Sequence, residues 1–570
     1  MTSRAMTAPA SPSSHPQATA VNFPLLWTVA LSGHRDLPDE AKAREAIRAQ
    51  LSVLKSEAVK QEADLVAVSS LARGADLIFA EECLAASVPW KCLLPFPVEE
   101  FQKDDFTPDE GGRVVACLAG AYRVENVSTG IPKDEETRKK AYQECGHRTV
   151  EAGDVVLILS DEEKTDKIAG AVEMAAYASD LRKPIWHWHT GTGEIKQIGW
   201  PGDRGERAGH PLFRSRVTPL MSDAAKMPEP IPLYPEAPDH TPKSDRHRNL
   251  DALFRRIDDL ALKKQGDAQK MMERVVRAHM LATTAAALSV TVLAGSYRAL
   301  LPENLRWLAI IGAILFSLLV LAKPLLAALA LWMEKRLHKF RSREHWVEAR
   351  VAAELCRSAG KSWRFPQAPL AVFSEEDFPH FKRLIRTLRL ARELDATSAV
   401  TLSEEDAFTR YTEERIDDQI EYFRLQHGKA VKENNRWQHH FNIATWTVIV
   451  LGTLFGFAEA ADACLNAGTA PGALHEGVFS HWLHLIAPPA VFVLIVAPFY
   501  ASYALAVLAI RDCRRRCDRF KNMHEFLERQ KDRLTRIKSP SSRIAVIENT
   551  ERMLLEELHE WYSVMRAVRV

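Results

Sequence analysis

Four long apolar stretches constrain this chain more than any other feature of its sequence. They cover residues 280–301, 307–333, 441–465 and 482–510. A helix that crosses a bilayer needs about 20 consecutive apolar residues, and the buried helices of soluble proteins rarely stay apolar on every face for so long. The sequence therefore predicts an integral membrane protein with four membrane-spanning helices in two hairpins, in preference to a soluble helical bundle.

Positive charge predicts how these spans are oriented. The segments that follow the second and fourth spans, EKRLHKFRSREH and RDCRRRCDRFK, are rich in Arg and Lys, whereas the loop 466–481 contains neither residue. Because segments rich in Lys and Arg stay on the cytoplasmic side, both hairpins are predicted to turn on the outer side. Both chain termini and the segment between the hairpins are then cytoplasmic.

The two hairpins are predicted to belong to duplicated units. The tetrapeptide Arg-Ile-Asp-Asp occurs at residues 256–259 and again at 415–418, and each copy opens a charged helix that leads directly into a hairpin. A repeat at the same place in two similar segments indicates duplication. The predicted units are residues 246–361 and 411–570, with a cytosolic connector, 362–410, between them.

Polar residues lie at membrane depth in the second and third spans. Lys323, followed by Pro324, interrupts the second span. One interpretation is that Lys323 and a kink at Pro324 line a water-filled path in a homo-oligomer, because a charge at membrane depth faces a partner or water. The other is that the lysine side chain snorkels to the interface, or that the span ends before it. Glu459 and Asp462, late in the third span, are placed near the outer interface.

The front of the chain, residues 25–198, has a different pattern, in which short apolar runs alternate with amphipathic segments. Alternating strands and helices of this kind predict an α/β, Rossmann-like domain with a doubly wound parallel sheet. The preceding tail, 1–24, lacks the apolar core of a secretory signal, so the domain is predicted to stay in the cytosol. A linker rich in Pro and Gly, 199–245, joins it to the membrane half.

Ligands bind such sheets beyond the carboxyl ends of the strands, and three segments of the sequence are predicted to lie there. These segments carry two arginines and glycines at helix starts, groups that suit a phosphate. The candidate ligand-binding residues are Gly33, His34, Arg35, Arg73, Gly74, Asp76, Asp161, Gly170 and Glu173.

Composition argues against several other classes of protein. A formal net charge of +1 is unlike that of a nucleic-acid-binding protein, which usually carries a basic excess. The eight cysteines include neither the paired CxxC spacing of a zinc site nor a disulfide framework. No metal site and no resident cofactor are therefore predicted.

Five segments between residues 25 and 189 carry a family resemblance: SGHRDL, SSLARGAD, LPFPVEEFQKDDF, AGDVVLILSD and GAVEMAAYASDLRKPIW. Together they resemble the SLOG superfamily, which groups LOG phosphoribohydrolases, the DNA-processing protein DprA and the cytosolic domain of TRPM channels. The membrane half, most clearly in YTEERIDDQIEYFRLQHGKAVKENNRW, resembles the SLATT class of two-span effector domains, here in duplicate.

The resemblance implies a role in bacterial conflict with phages, in which a SLOG domain senses a nucleotide-derived signal and SLATT helices breach the inner membrane. LOG phosphoribohydrolases have a PGGxGTxxE-type turn, whereas this chain has KIAGAVEM, without the paired glycines and the Thr. Recognition of a nucleotide or NAD-derived ligand is therefore expected. Glu173 is a catalytic candidate only if the domain is an enzyme.

Three hypotheses about function follow. The first is an antiphage effector of the bacterial inner membrane, a homo-oligomer gated by a ligand bound through Arg35, Arg73 and nearby glycine amides. The second is a membrane-anchored nucleotide or NAD hydrolase that cleaves an N-glycosidic bond, with Glu173 as acid/base. The third is a metabolite-gated ion channel.

Overall fold

The computed structural model describes most of the chain. The described residues are 23–103, 106–128, 130–161, 170–200, 215, 217–227, 244–293, 314, 318, 320–322, 324–333, 335, 342–365, 375–396, 403–466 and 478–567. The chain divides into two compact units. The first comprises Met1–Asp258 and Ala352–Ser403, and the second comprises Asp259–Val351 and Glu404–Val570.

The first unit is built on a seven-stranded sheet with the strand order β4-β3-β2-β1-β5-β6-β7. Strands β1 to β6 pair in parallel, and β7 is antiparallel to β6. The strands are β1 (Leu25–Gly33), β2 (Ala63–Ser69), β3 (Trp90–Leu94), β4 (Arg123–Asn126), β5 (Val155–Ser160), β6 (Ile185–His189) and β7 (Ile195–Ile198). The predicted α/β domain with a mostly parallel sheet is confirmed.

Helices cover both faces of this sheet because its central strands are apolar on both sides. Every residue of β5, VVLILS, is buried. The helices of this part are α1 (Glu40–Val59), α2 (Ala75–Ala85), α3 (Val98–Phe101), α4 (Pro108–Gly120), α5 (Glu135–Ala152), α6 (Ala171–Asp180) and α7 (Thr218–Ala225). The sheet winds outward in both directions from the neighbours β1 and β5, and such a reversal opens a crevice at the carboxyl ends of those two strands.

The rest of the described chain is helical. Its helices are α8 (Asp245–Leu293), α9 (Ser342–Lys361), α10 (Lys382–Ala396), α11 (Glu404–Tyr411), α12 (Asp418–Asn466), α13 (Val478–Ile510), α14 (Cys513–Arg536) and α15 (Pro540–Ala567). A π-helical turn, Thr412–Asp417, joins α11 to α12.

Two helical runs of the described chain are long and apolar enough to cross a membrane, Glu405–Asp462 and Ala490–Arg536. They contain most of the third predicted span and most of the fourth. Only 6% and 17% of the residues in their most apolar segments are buried, whereas the core helix of a soluble protein is buried on most sides. Length, composition and exposure therefore favour an association of this region with a membrane.

The first two predicted spans lie largely outside the described residues. Helix α8 enters the first of them, and a shorter apolar helix, Val320–Met333, represents the second. Pro324 lies within this shorter helix, and Lys323 lies outside the described residues. Both interpretations of Lys323 therefore stay predictions.

The two Arg-Ile-Asp-Asp copies place their arginines against different partners. Arg256 is 3% exposed, and its Nη1 donates to the carbonyl oxygen of Ala225 at 3.1 Å. Arg415, in the π-helical turn, is 1% exposed and donates two hydrogen bonds of 2.8 Å to the Glu551 carboxylate. A buried guanidinium needs acceptors, and each copy has found them on a different element.

Helix α10 belongs to the segment predicted to form a connector between the hairpins, but the structure packs it against the amino ends of the strands. The N–H of Leu26, in β1, donates to Oγ1 of Thr387 at 2.9 Å. Asp154, just before β5, binds Arg383 and Arg386 at 2.6 to 2.7 Å. The apolar face of α10 is covered there: Leu384, Ile385 and Leu388 are at most 1% exposed. This helix is therefore part of the first unit.

Candidate functional site

Strand β1 ends in close contact with the start of α2. A Cβ on Gly33 would lie 2.4 Å from Cβ of Ala75 and 3.1 Å from Cβ of Leu159. A larger residue would therefore push the end of β1 away from both α2 and β5. The close approach that Gly33 allows therefore sets the position of the two following residues, His34 and Arg35, at the end of the strand.

His34 and Asp161 meet across the crevice between β1 and β5. Oδ1 of Asp161 lies 3.1 Å from Nε2 of His34, and the backbone nitrogen of Asp161 lies 3.2 Å from the same ring nitrogen. A ring nitrogen either donates or accepts, so a proton on Nε2 selects the carboxylate and its absence selects the amide. In either state the two predicted site residues hold each other at the mouth of the crevice.

Gly74 begins α2 with φ +82°, and a Cβ there would lie 2.2 Å from the carbonyl oxygen of Arg35. The N–H of Ala75 donates to the carbonyl oxygen of His34 at 3.1 Å, and the N–H of Leu77 donates to that of Ala72. The sequence predicted that this helix start offers free amides to an anion. The structure instead uses two of these amides internally: the Ala75 amide bonds to the loop after β1, and the Leu77 amide bonds to the loop after β2.

Asp76 is another predicted ligand-binding residue, but it is only 3% exposed. Its Oδ1 accepts hydrogen bonds from the hydroxyls of Ser69 at 3.1 Å and Ser70 at 2.8 Å, and the backbone of Gly33 also donates to it. Burial raises the pKa of Asp76 to about 6 in spite of these donors. The carboxylate joins the ends of β1 and β2 to α2 and does not line the pocket that they support.

A pocket of about 160 Å³ lies beside these loops. It is lined by Arg35, Asp36, Ala72, Arg73, Phe101, Phe106 and Tyr142. The loops after β1 and β2 supply both arginines that the sequence pointed to, so the structure brings these two residues together. The three aromatic residues were not predicted. Two of them belong to LPFPVEEFQKDDF, which follows the third strand and was the available signal.

The aromatic residues form one wall of the pocket. The rings of Phe101 and Phe106 lie 5.4 Å apart in an edge-to-face arrangement, and Tyr142 packs in the same way on Phe96, also at 5.4 Å. The guanidinium carbon of Arg35 lies 4.9 Å from the centre of the Tyr142 ring. Such a wall can stack a planar ring, with a cation held at its edge by the π-face of the tyrosine.

The two arginines of the pocket differ in how far their charge is neutralised. Arg73 forms an ion pair with Asp36, and its Nε lies 3.9 Å from Oε1 of Glu110. Among the described residues, the contact found for the Arg35 guanidinium is the ring of Tyr142, and its side chain is exposed. Arg35 therefore offers the stronger attraction to an incoming anion.

Gly170 and Glu173 lie at the start of α6 and are not among the residues that line the pocket. Oε1 of Glu173 accepts a hydrogen bond of 2.5 Å from Gln143 and lies 3.6 Å from Nε2 of His147. The ring of His147 stacks on Tyr177 at 4.1 Å. Gly170 caps α6 without a side-chain hydrogen bond. The structure thus places these two predicted residues in a cluster between α5 and α6.

Nothing in the described part of the chain gathers three or more His, Cys, Asp or Glu side chains around a metal position. Comparison with known proteins identifies no relative: no protein family and no curated protein matches this sequence. The residues that line the pocket therefore define the chemistry that the site can perform.

Proposed function

We propose that this protein is a membrane effector that binds a nucleotide-type ligand in the pocket beneath Arg35 and responds by opening or disrupting the membrane. The pocket carries the proposal, because it combines an exposed guanidinium with a wall of three aromatic rings. Guanidinium groups bind phosphate through paired hydrogen bonds, and aromatic side chains stack nucleobases. The two apolar helices support a place at the membrane.

The size of the pocket limits how much of the ligand it holds. A volume of about 160 Å³ is close to that of engineered cavities of roughly 150 Å³ that accept benzene. One ring and the groups attached to it fill such a space, so the phosphates of a nucleotide or NAD-derived ligand would extend toward Arg35 at its mouth. A dinucleotide would place only one end in the pocket.

The alternative of a hydrolase has less support from the geometry. Its acid/base candidate, Glu173, is held by Gln143 and His147 and does not line the pocket. A bound ligand would therefore meet arginines and aromatic rings, which are binding groups. The carboxylate among the lining residues, Asp36, is paired with Arg73. An antiphage role in a bacterial inner membrane, a homo-oligomeric assembly and the ion-channel alternative extend the proposal through the resemblance to SLOG and SLATT proteins.

The first test is ligand binding to the purified full-length protein by isothermal titration calorimetry, with AMP, ATP, NAD⁺ and ADP-ribose as probes. Loss of a hydrogen bond to a charged group costs about 1.5–3 kcal/mol, so Arg35→Ala should weaken binding roughly 10- to 150-fold. Tyr142→Ala should also weaken it, and Tyr142→Phe should not. Arg148→Ala is the matched control, since Arg148 is exposed and its ion pair within the described part of the chain is with Glu144 on its own helix.

The second test is release of a dye from liposomes that contain the protein. A probe that binds should cause leakage in the wild type and in Arg148→Ala, and much less in Arg35→Ala. Equal affinity of Arg35→Ala and the wild type would refute the site. Tight binding without leakage, accompanied by conversion of the probe, would refute the effector and favour the hydrolase.

A further inference from the structure

Helix α10 lies in the sequence between the two hairpins, yet it is an integral element of the ligand-binding unit. The first unit ends at Asp258 and resumes at Ala352, after the first hairpin, and it ends again at Ser403, before the second. The first hairpin is therefore an insertion within this unit. The linker 199–245 is therefore not the only segment of the chain that connects the first unit to the predicted membrane helices.

One end of α10 is attached to the sheet. The Thr387 hydroxyl, fully buried, accepts the hydrogen bond from the N–H of Leu26. Arg383 donates to the carbonyl oxygen of Leu26 at 3.0 Å, and its guanidinium carbon lies 3.5 Å from the centre of the Trp27 ring. Together with the ion pairs of Asp154, these contacts join α10 to the amino ends of β1 and β5. The opposite ends of these two strands form the crevice.

The other end of α10 meets the helices that lead to and from the first hairpin. Asp395, near the end of α10, accepts a hydrogen bond of 2.8 Å from the indole of Trp363, just after α9. Asp395 also accepts from Ser244, which directly precedes α8. His247, in the first turn of α8, stacks on Trp363 at 5.4 Å. We call these four residues, Ser244, His247, Trp363 and Asp395, the hairpin junction.

Helix α10 thus spans the distance between the sheet and the hairpin junction. Thr387 and Asp395 are eight positions apart in the numbering, which corresponds to about 12 Å of helix. Helix α8 then continues without interruption from Asp245 to Leu293, and α10 is followed after residue 403 by α11, which opens the second hairpin unit. Among the described residues, α8, α9 and α10 each begin or end near one of the four residues of this junction.

We propose that α10 is a strut that couples the amino edge of the β1–β5 pair to the hairpin junction, and through it to α8 and α9, the helices that lead to and from the first hairpin. The inference rests on the proposed function for its biological meaning, but the mechanical coupling is testable without a ligand. A ligand shifts a protein only between states that it binds differently, and a movement of β1 or β5 at the pocket reaches α8 and α9 through α10. Because coupling is reciprocal, a change at either end of the strut is felt at the other.

The test is hydrogen–deuterium exchange of the full-length protein reconstituted in liposomes of phosphatidylethanolamine and phosphatidylglycerol. Thr387→Val keeps the shape of the side chain and removes the acceptor of the Leu26 N–H, and Thr387→Ser, which keeps the hydroxyl, is the matched control. Trp363→Phe removes the hydrogen bond to Asp395 at the junction and keeps an aromatic ring. Asp154→Asn is a second variant at the sheet end, in case Thr387→Val does not fold.

We expect Thr387→Val to raise exchange at the start of β1 roughly tenfold or more, and also to raise it at the hairpin junction and in the first turns of α8. We expect Trp363→Phe to raise exchange at the junction and at the start of β1. Faster exchange confined to the end of α10 that was changed would overturn the strut. Unchanged exchange in all three variants would overturn the contacts themselves.

Dye release from the same liposomes keeps this inference separate from the proposed function. Absence of leakage with every probe, in the wild type and in all variants, counts against the effector. The exchange pattern then still decides whether α10 couples the sheet to the junction.

Discussion

Neutralising Asp154 should loosen α10 from the sheet. Its carboxylate, 5% exposed, binds two arginines of α10, Arg383 through two hydrogen bonds of 2.6 and 2.7 Å and Arg386 through one of 2.7 Å. It also accepts the N–H of Thr28 at 2.9 Å. Asparagine keeps the shape of the side chain, but it leaves two guanidinium groups facing each other without the charge between them.

Two independent arguments give the size of the effect. Removing one partner of a buried ion pair costs about 3–5 kcal/mol, because the remaining charge stays buried. Burial alone would raise the pKa of Asp154, but the charges and hydrogen bonds of Arg383 and Arg386 outweigh it and lower the pKa from 3.8 to about 2. That difference is worth about 2.5 kcal/mol at 1.36 kcal/mol per unit. We take about 2.5 kcal/mol as the lower limit.

Hydrogen exchange of the Leu26 amide measures this directly, since that amide bonds to Thr387 of α10. A loss of about 2.5 kcal/mol speeds exchange through opening of α10 about 70-fold. The matched control is Glu375→Gln. Glu375 also binds Arg386, at 2.9 and 3.0 Å, but it is 20% exposed, and its loss should cost about 1 kcal/mol or less.

The pH dependence gives a second check. Because the pKa of Asp154 is lowered in the folded state, its stabilisation is complete above about pH 4 and is lost as the pH falls toward 2. The difference in stability between the wild type and Asp154→Asn should therefore shrink over that interval. A difference of less than about 1 kcal/mol at pH 7, or one that does not change with acid, would refute this account of the α10 contact.

Three further predictions concern the site and the helical unit. Gly74→Ala should destabilise the first unit by more than about 2 kcal/mol, because its Cβ would lie 2.2 Å from the carbonyl oxygen of Arg35. The control Gly111→Ala, in open space within α4, should instead stabilise this unit by about 0.5–1 kcal/mol. Thermal unfolding measures both changes. Because the pKa of Asp76 is raised to about 6, the folded state binds the proton more tightly than the unfolded state, and the wild type should lose stability as the pH rises from about 4 to 6. Asp76→Asn should abolish this loss, and identical behaviour of the two proteins in urea unfolding across that range would contradict the prediction. Glu551→Gln should lower the stability of α15 by about 3 kcal/mol, because it leaves the buried Arg415 without its charged partner. Lys531→Met, which breaks the exposed pair with Asp417, should lower it by less than about 1 kcal/mol. Hydrogen exchange of α15 measures both.

The sequence predicted the parts of the site that depend on the order of strands and loops. His34 and Arg35 follow β1, Arg73 follows β2 and Asp161 follows β5, and parallel strands bring their carboxyl ends to one edge. The sequence could not separate pocket residues from supporting ones within these loops. Arg73 and Asp76 lie three positions apart in the chain, yet Asp76 is buried under the loops and Arg73 lines the pocket, because side-chain direction at a helix start depends on what packs against it.

What the sequence determined by itself is local. Runs of apolar residues fix the two helices that suit a membrane, and the alternation of short apolar runs with amphipathic segments fixes the parallel α/β sheet, because both signals lie within windows of about 20 residues or fewer. Only the tertiary structure decided that α10 completes the first unit. Its contacts join residues 361 positions apart at Leu26 and Thr387 and 229 apart at Asp154 and Arg383. No local pattern encodes such a pairing, since an amphipathic helix specifies that one face must be covered and leaves the covering surface to the fold.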